Sequence, residues 1–323
     1  MRILVTGGAG YIGTAITHLV EREGWFAVRY DKAPPWPSRE PHGPVIRGDV
    51  LDTELLTDTL KRFAIDGVVH CAGLIAVGES VQEPLRYWHQ NLGGALSLLR
   101  AMDSARVHRL VFSSTAAVYG EPERVPIVES HPLAPTNPYG RTKLAQETLF
   151  SDLSASGPFR YVALRYFNAA GAIPGVPGER HQPETHLIPL AIAAALDATP
   201  LHIMGTDYPT PDGTAERDYI HVEDLAMAHV AALTYLAGGG ASVALNLANS
   251  RAYSVRQVVD TVSRVVERPV PVIEAPRRAG DPAVLVGDSE HAQSVLGWRP
   301  LHGALDSMVA SALDWRRGLA QRH

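Results

Sequence analysis

The sequence predicts an α/β fold in which helices cover both faces of a doubly wound parallel sheet. Two observations lead to this prediction: apolar runs of strand length alternate with helical periodicities, and glycines fill the turn between the first strand and the first helix. With 323 residues, 46% of them hydrophobic, the chain is long enough for one large or two ordinary globular domains. We expect a second, smaller α/β region after the sheet.

Strands and helices alternate from the first residues onward. Apolar runs predict strands at Arg2–Thr6, Phe26–Asp31, Gly67–Ala72, Arg109–Thr115 and Arg160–Phe167. Helical spacing predicts helices from Tyr11 until Gly24 and at Thr53–Phe63, Pro84–Met102, Val222–Leu236, Ser254–Val266 and Ala304–Leu319. Proline and glycine predict surface loops at Ala33–Pro44 and Ala169–Glu184. The second loop follows a strand at the carboxyl edge of the sheet, where open α/β folds bind their ligands.

Composition argues against several classes of function. The chain has 29 Lys and Arg against 34 Asp and Glu, a formal net charge of −5, so it lacks the basic excess of a nucleic-acid-binding protein. Its most apolar stretch, Leu187–Ala198, is interrupted by Pro189 and is shorter than the ~20 residues of a membrane span. Cys71 is the single cysteine, and the start MRILVTGG has no apolar signal segment. We expect a cytoplasmic protein without a disulfide, a membrane span or a nucleic-acid partner.

The glycine-rich turn predicts a dinucleotide site on a Rossmann sheet. Gly7, Gly8, Gly10 and Gly13 satisfy both GxGxxG and GxxGxxG directly between a strand and a helix. Glycines allow backbone N–H groups to approach a pyrophosphate, whose charge is stabilised by the positive end of the helix dipole. Asp31 ends the second strand, where a carboxylate accepts hydrogen bonds from the ribose hydroxyls and repels a 2′-phosphate. NAD is therefore favoured over NADP, although the neighbouring Lys32 weakens this preference slightly.

A YxxxK pair predicts proton transfer near that cofactor. Tyr139 and Lys143 begin a predicted helix and share one of its faces. A phenol titrates near ~10, and a neighbouring ammonium together with a cationic nicotinamide would lower its pKa towards neutrality, so that a phenolate base can form. Upstream, Ser113, Ser114 and Thr115 end a strand, where a hydroxyl can hydrogen-bond the same reacting oxygen.

Six segments together carry a resemblance to a known family. They are TGGAGYIG (Thr6–Gly13), AGLIAVGES (Ala72–Ser80), FSSTAAVYG (Phe112–Gly120), NPYGRTK (Asn137–Lys143), RYFNAAGA (Arg165–Ala172) and RDYIHVEDLA (Arg217–Ala226). With them the chain resembles the UDP-glucose 4-epimerases of the extended short-chain dehydrogenase/reductase family, over nearly its whole length through APRRAGDPA (Ala275–Ala283). The resemblance implies an isomerase that interconverts UDP-galactose and UDP-glucose with bound NAD.

The resemblance also implies how the reaction proceeds. Tyr139 would deprotonate the 4-OH of the sugar while a hydride leaves C4 for the nicotinamide, and the transient 4-keto sugar would rotate and receive the hydride on its other face. Thr115 would stabilise the reacting oxygen, and Lys143 would anchor the nicotinamide ribose and tune Tyr139. These three residues are the predicted catalytic set.

Two binding sets follow from the same resemblance. The cofactor set is Gly7, Gly10, Tyr11, Ile12, Gly13, Asp31, Lys32, Asp49, Val50, Cys71, Ala72, Gly73, Asn91, Ser113, Ser114, Tyr139, Lys143, Tyr166 and Phe167. The nucleotide-sugar set is Thr115, Tyr139, Asn168, His186, Leu187, Leu201, His202, Ile203, Arg217, Arg278, Asp281 and Leu285, with Phe167 beside it. A diphosphate favours the fork-shaped, charged donors that the two arginines supply.

Domain boundaries and assembly are expectations from the family. Residues 1–168, with 219–249 returning to them, would form the NAD-binding Rossmann domain, and residues 169–323 the smaller substrate-binding domain. A homodimer would pair the helices at Pro84–Met102 and Thr142–Leu153 into a four-helix interface.

Four positions bear on specificity. Ala116 and Ala117 stand where the related 4,6-dehydratases carry acidic residues, which makes dehydration an unfavoured reaction. Ile75 stands where many members have lysine, which removes one cation that would face the pyrophosphate. Leu285 stands where family members have a tyrosine, associated with excluding N-acetylated sugars, or a cysteine, associated with admitting them. Because leucine is intermediate in size, N-acetylated sugars stay open as substrates.

Alternative functions remain open at this stage. They are another UDP-sugar 4-epimerase, acting on UDP-GlcNAc and UDP-GalNAc or on a pentose or uronate; a net NAD-dependent dehydrogenase or reductase; and a dinucleotide-sensing regulator. No metal site is expected, because the 14 histidines form no HExxH motif and the single cysteine excludes CxxC.

Overall fold

A computed structural model describes residues 1–34, 43–181, 183–278 and 281–320. Its strands are β1 (Arg2–Thr6), β2 (Phe26–Asp31), β3 (Val45–Arg47), β4 (Gly67–His70), β5 (Arg109–Thr115), β6 (Arg160–Tyr166), β7 (Asn168–Ala170), β8 (Leu201–Met204), β9 (Glu216–Arg217), β10 (Tyr219–His221), β11 (Val243–Leu247), β12 (Tyr253–Ser254), β13 (Val272–Ala275) and β14 (Val284–Leu285). Its α-helices are α1 (Tyr11–Arg22), α2 (Thr53–Arg62), α3 (Val77–Gln82), α4 (Pro84–Tyr87), α5 (Gly94–Ala105), α6 (Pro138–Ser156), α7 (Leu187–Asp197), α8 (Val222–Ala237), α9 (Val255–Val266), α10 (Glu290–Leu296) and α11 (Leu305–Ala320). Most of the predicted loop at Ala33–Pro44 lies outside the described residues.

The central sheet has seven parallel strands in the order β11-β6-β5-β4-β1-β2-β3. The strand order reverses at β1, which pairs with β2 on one side and with β4 on the other. Open sheets of this kind bind ligands in the crevice beyond the carboxyl ends of the strands at such a reversal. The glycine turn after β1 lies at this point.

Helices cover both faces of the sheet, which confirms the predicted doubly wound fold. On one face, α1 and α8 bury Ile16, Leu225 and Leu233 against the apolar side chains of the sheet. On the other face, α2, α5 and α6 bury Leu56, Leu98 and Phe150. The strands are apolar on both faces because each face is buried under helices.

A third core forms the smaller region of the chain. Helices α7, α9 and α11 pack together around Ile192, Val262 and Met308. Short sheets border this core: β8 pairs with β13, and β9 pairs with both β12 and β14. Although α8 and β11 follow part of this region in sequence, β11 returns to the central sheet beside β6 and α8 packs against α1.

Three predicted segments differ from the structure. The predicted helix Pro84–Met102 is divided into α4, a π-helical turn (Trp88–Gly93) and α5, because the backbone there makes i→i+5 bonds. The predicted strand Gly67–Ala72 ends at His70, so Cys71 follows the strand and does not lie within it. The predicted irregular segment Ala169–Glu184 starts within β7.

Candidate active site

The turn between β1 and α1 is shaped for close approach of a ligand to the backbone. Gly7 has a φ of +71°, and a Cβ at this position would lie 2.7 Å from the Ala72 nitrogen. A Cβ on Gly13 would lie 2.1 Å from the Gly7 oxygen. Gly10 precedes α1 and provides no side-chain cap for the N–H groups of the first turn. These N–H groups and the helix dipole suit an anionic ligand such as a pyrophosphate.

Carboxylates border this turn on the side of β2 and β3. Asp31 ends β2, and its two oxygens accept hydrogen bonds from the backbone of Ala9 (3.0 Å) and Ala33 (2.9 Å). Lys32 is exposed beside it. Asp49 accepts a hydrogen bond from Gln90 Nε2 at 2.9 Å, and the adjacent Val50 is buried. Asp31 is thus positioned at the strand end where a ribose would lie.

The π-helical turn brings Asn91 between the cofactor side and α6. Its Oδ1 accepts a hydrogen bond from the Leu74 backbone at 2.8 Å, and its Nδ2 donates to the Leu74 oxygen at 3.1 Å and to Thr142 Oγ1 at 3.0 Å. Cys71, Ala72 and Gly73 precede this bonded loop. Asn91 therefore fixes the loop after β4 to the helix that carries Tyr139 and Lys143.

Thr115, Tyr139 and Lys143 converge at the carboxyl end of β5. Tyr139 is buried and makes a hydrogen bond with Thr115. Burial raises the pKa of Tyr139 to about 12, and the bond with Thr115 offsets this only in part. A bound cationic cofactor would lower this pKa, because a nearby positive charge favours the phenolate.

Lys143 is held by backbone and ring contacts. Its Nζ donates to the Ser113 oxygen at 2.9 Å and lies 4.7 Å from the centre of the Phe112 ring. Burial lowers the pKa of Lys143 to about 8, although nearby Glu147 acts in the opposite direction. A buried ammonium with one backbone acceptor retains donors for a further oxygen, such as a ribose hydroxyl.

The other hydroxyls at the end of β5 have protein partners. Ser113 Oγ donates to Cys71 Sγ at 3.1 Å, lies 3.1 Å from His229 Nε2, and bonds with Tyr166. Burial raises the pKa of Cys71 to about 11, which suits a small buried residue more than a nucleophile. Ser114 Oγ donates to Glu147.

A buried ion pair beside the catalytic set was not predicted from the sequence. Arg165 donates from Nε to both Glu147 oxygens at 3.1 Å and from Nη2 to Oε2 at 2.6 Å. Arg165 also donates to the Tyr119 hydroxyl at 3.0 Å, and Tyr119 donates to Asn246 at 2.6 Å. The pair joins α6 to β6, while Ser114 connects it to β5. Its only sequence signal is the position of Glu147, one helical turn after Lys143.

The predicted nucleotide-sugar residues are partly brought together. Arg217 and Asp281 form a hydrogen-bonded ion pair, and Leu285 on β14 is paired in register with Arg217 on β9. Asn168 donates to the Asp218 oxygen at 3.2 Å, at the start of the segment that leads from β6. Arg278 is exposed after β13. A diphosphate would compete with Asp281 for the Arg217 guanidinium.

Other members of the nucleotide-sugar set differ in accessibility. Leu201 and Ile203 are buried on β8, whereas His202 between them is exposed. Phe167 is buried in a small cluster with Val118 and Ile127. His186 precedes α7, but its Nδ1 faces two carboxylates. Leu187 begins the helix.

Comparison with known proteins identifies the family. A sequence profile described as the NAD dependent epimerase/dehydratase family matches residues 3–248. The chain belongs to this family.

Among its relatives, the UDP-glucose 4-epimerase of Azospirillum brasilense is 47% identical, over 99% of this chain and 93% of that protein. The crystal structure of UDP-glucose 4-epimerase from Brucella ovis in complex with NAD has a TM-score of 0.93 and 43% identity, and covers 97% of both chains. That of the Bifidobacterium longum enzyme in complex with NAD+ and UDP has a TM-score of 0.93 and 36% identity, and covers 100% of both chains. Across the residues that the structure describes, no helix is both long and apolar enough to cross a membrane.

Proposed function

We propose that this chain is a UDP-glucose 4-epimerase that interconverts UDP-galactose and UDP-glucose through a transient 4-keto sugar with bound NAD. The observation that carries the proposal is the convergence of Thr115, Tyr139 and Lys143 beside the glycine turn at the strand-order reversal. The relatives from Azospirillum and Brucella, which carry this activity in their names, support it over nearly the whole chain.

The residues of the turn suit NAD. A Cβ at Gly7 or Gly13 would clash with the protein backbone, so the tight turn that would present its N–H groups to a pyrophosphate requires glycine at both positions. Asp31 would accept hydrogen bonds from the adenosine ribose, and Lys143 Nζ would donate to the nicotinamide ribose. When bound, NAD would supply the acceptor and donor of the hydride at C4 of the sugar, and it would be regenerated in each turnover.

Tyr139 supplies the proton chemistry. The Tyr139 phenolate removes the proton of the 4-OH as the C–H bond at C4 breaks, and the resulting phenol returns that proton to the oxygen when the hydride comes back. Thr115 bonds to Tyr139 and is placed to donate to the same oxygen. Between the two hydride transfers, the 4-keto sugar turns so that its other face is presented.

Ala116 and Ala117 favour epimerisation over dehydration. They begin the 3-10 turn directly after Thr115, and Ala116 is buried. Eliminating water from C5 and C6 requires an additional acid and base near the sugar, and methyl groups supply neither. The nucleotide diphosphate would bind at Arg217, with Asp281 and Leu285 beside it.

Domain roles and assembly are part of the proposal. Residues 1–168 with 219–249 would bind NAD, and the smaller region within 169–323 would bind the nucleotide-sugar. A homodimer is supported by a row of exposed apolar side chains on α3, α4 and α5 and the turn between them, namely Val77, Val81, Leu85, Trp88 and Leu96. Burying such a row between two copies would remove apolar surface from water. We place the protein in the cytoplasm, where its single thiol would remain reduced.

The proposal is tested by following UDP-galactose by NMR with purified protein and no added NAD. We expect UDP-glucose to appear, and Tyr139→Phe to slow its appearance by about 10²–10⁴-fold. Tyr235→Phe, on α8 and outside the catalytic set, is the matched control and should behave like the wild type.

Three other results would be informative. Conversion that requires added NAD would indicate weak cofactor retention, consistent with the exposed Ile75. Sustained accumulation of NADH would instead indicate a net dehydrogenase. Absence of any 4-epimer from the common UDP-hexoses, with or without NAD, would refute the proposal.

A further inference from the structure

Four potential metal ligands converge in the segment before α7. They are Glu179, His181, Glu184 and His186, and one ligating atom of each lies within 4.8 Å of the others. All four side chains are half-buried. The mechanism proposed above uses none of these groups, although His186 was predicted to contact the sugar.

The four separations between a histidine nitrogen and a carboxylate oxygen in the cluster are close to the edge length of a tetrahedral site. Nδ1 of His186 lies 2.9 Å from Oε1 of Glu179 and 2.9 Å from Oε1 of Glu184. Nδ1 of His181 lies 3.3 Å and 4.0 Å from the same two oxygens. Ligands bound ~2.0–2.1 Å from zinc occupy tetrahedral vertices about 3.3 Å apart. A small movement of the His181 ring would shorten the longest of these separations, 4.0 Å, to that edge length.

The charges of the cluster and the unpartnered nitrogen of His181 suit a cation. Nδ1 of His181 is shielded from solvent and has no aligned hydrogen-bond partner, despite its proximity to Glu179. Two carboxylates share the single Nδ1 position of His186, so one imidazolium would balance only one of their two charges. A divalent cation held by two neutral imidazoles would balance both carboxylates and occupy the His181 lone pair.

We propose that Glu179, His181, Glu184 and His186 bind one divalent metal ion, and the two-histidine, two-carboxylate set favours zinc. A cavity of about 110 Å³ lined by Glu179, His181 and Glu184 offers a path for the ion. The spacing ExHxxExH differs from the HExxH and CxxC patterns, which explains why those patterns gave no metal site.

The ion would stabilise the segment that lies next to the glycine turn. With four protein ligands the coordination shell is closed, so the site is structural and does not activate water. The same segment begins near Gly171, whose oxygen accepts a hydrogen bond from the Tyr11 hydroxyl at 2.6 Å. Tyr11 begins α1 directly after the glycine turn. A bound ion would therefore cross-link the segment that contacts α1 through this hydrogen bond.

The test measures metal binding by the NAD-bound protein after removal of metal with a chelator. We expect the wild type to take up one zinc ion per chain and to give an intense visible absorption with Co²⁺, as tetrahedral cobalt does. His181→Ala and Glu184→Gln should each weaken zinc binding by at least about tenfold. His291→Ala is the matched control, because His291 lies 3.8 Å from a carboxylate of Glu129 but outside the cluster.

A second readout separates binding from folding. At one zinc concentration, the melting temperature of the wild type and of His291→Ala should rise by more than that of the two cluster variants. Uptake well below one ion per chain by the wild type, or equal uptake by the wild type and both cluster variants, would overturn the proposal. Neither result depends on whether the protein epimerises UDP-galactose.

Discussion

The buried pair of Glu147 and Arg165 gives a prediction whose size follows from the structure. Both side chains are only 6% exposed, and the carboxylate is the sole charged partner of the guanidinium in its described surroundings. Burial opposes the charge of Arg165, but the hydrogen bonds and charge of Glu147 outweigh it, so that the pKa of Arg165 is raised. After its partner is removed the guanidinium still stays charged, because arginine is not deprotonated in proteins.

Glu147→Gln keeps the size of the side chain and removes its charge. The variant leaves Arg165 buried without a counter-ion, and breaking a buried pair in this way costs about 3–5 kcal/mol. This is a large part of the roughly 5–15 kcal/mol that stabilises an ordinary domain. We expect the loss in denaturant unfolding, measured at fixed protein and NAD concentrations, as a lower midpoint with an unchanged slope.

An exposed pair provides the control. Arg256 and Glu274 lie 2.7 Å apart, but their side chains are 39% and 57% exposed. Glu274→Gln should therefore cost no more than about 1 kcal/mol. The double variant Glu147→Leu with Arg165→Met should recover most of the lost stability, because it removes both buried charges. A loss below about 1 kcal/mol for Glu147→Gln would refute this reasoning.

Two further predictions concern the cofactor side. Gly13→Ala should abolish NAD retention, measured as cofactor released from the purified protein, because its Cβ would lie 2.1 Å from the Gly7 oxygen; Gly78→Ala, with open space around it, should retain NAD like the wild type. The Tyr139 phenol, whose pKa is raised to about 12 without ligand, should titrate at lower pH when NAD is bound, since a nearby positive charge favours the phenolate. The tyrosinate absorption of the wild type minus that of Tyr139→Phe gives this pKa, and an identical midpoint with and without NAD would contradict the expectation.

Local patterns explain why much of the fold could be predicted. Each of these motifs, namely the glycines, Asp31 and the YxxxK pair, lies within or next to a single element. It can therefore be recognised from residues that are neighbours in the sequence. The division of the predicted helix at Pro84–Met102 could not be seen this way. A π-helical turn adds one residue to a single turn and leaves the apolar spacing on both sides intact.

The features of the site that could not be predicted from the sequence are contacts between residues that are far apart along the chain or in irregular segments. Glu147 on α6 and Arg165 on β6 are 18 positions apart, and a charged residue on a helix is ordinarily expected at the surface. The cluster around His181 and His186 depends on how the segment before α7 folds, which no helical or strand periodicity describes. The resemblance placed Arg217 and Asp281 at the same site but did not predict that they form an ion pair.

In the proposed reaction, the hydride that leaves C4 of the sugar is returned to C4 without exchange with water. The most direct test supplies UDP-galactose with deuterium at C4 to the purified protein and examines the UDP-glucose formed by NMR. We expect deuterium to remain at C4 of the product, because the hydride does not exchange with water. UDP-glucose with hydrogen at C4, or no UDP-glucose at all, would contradict it.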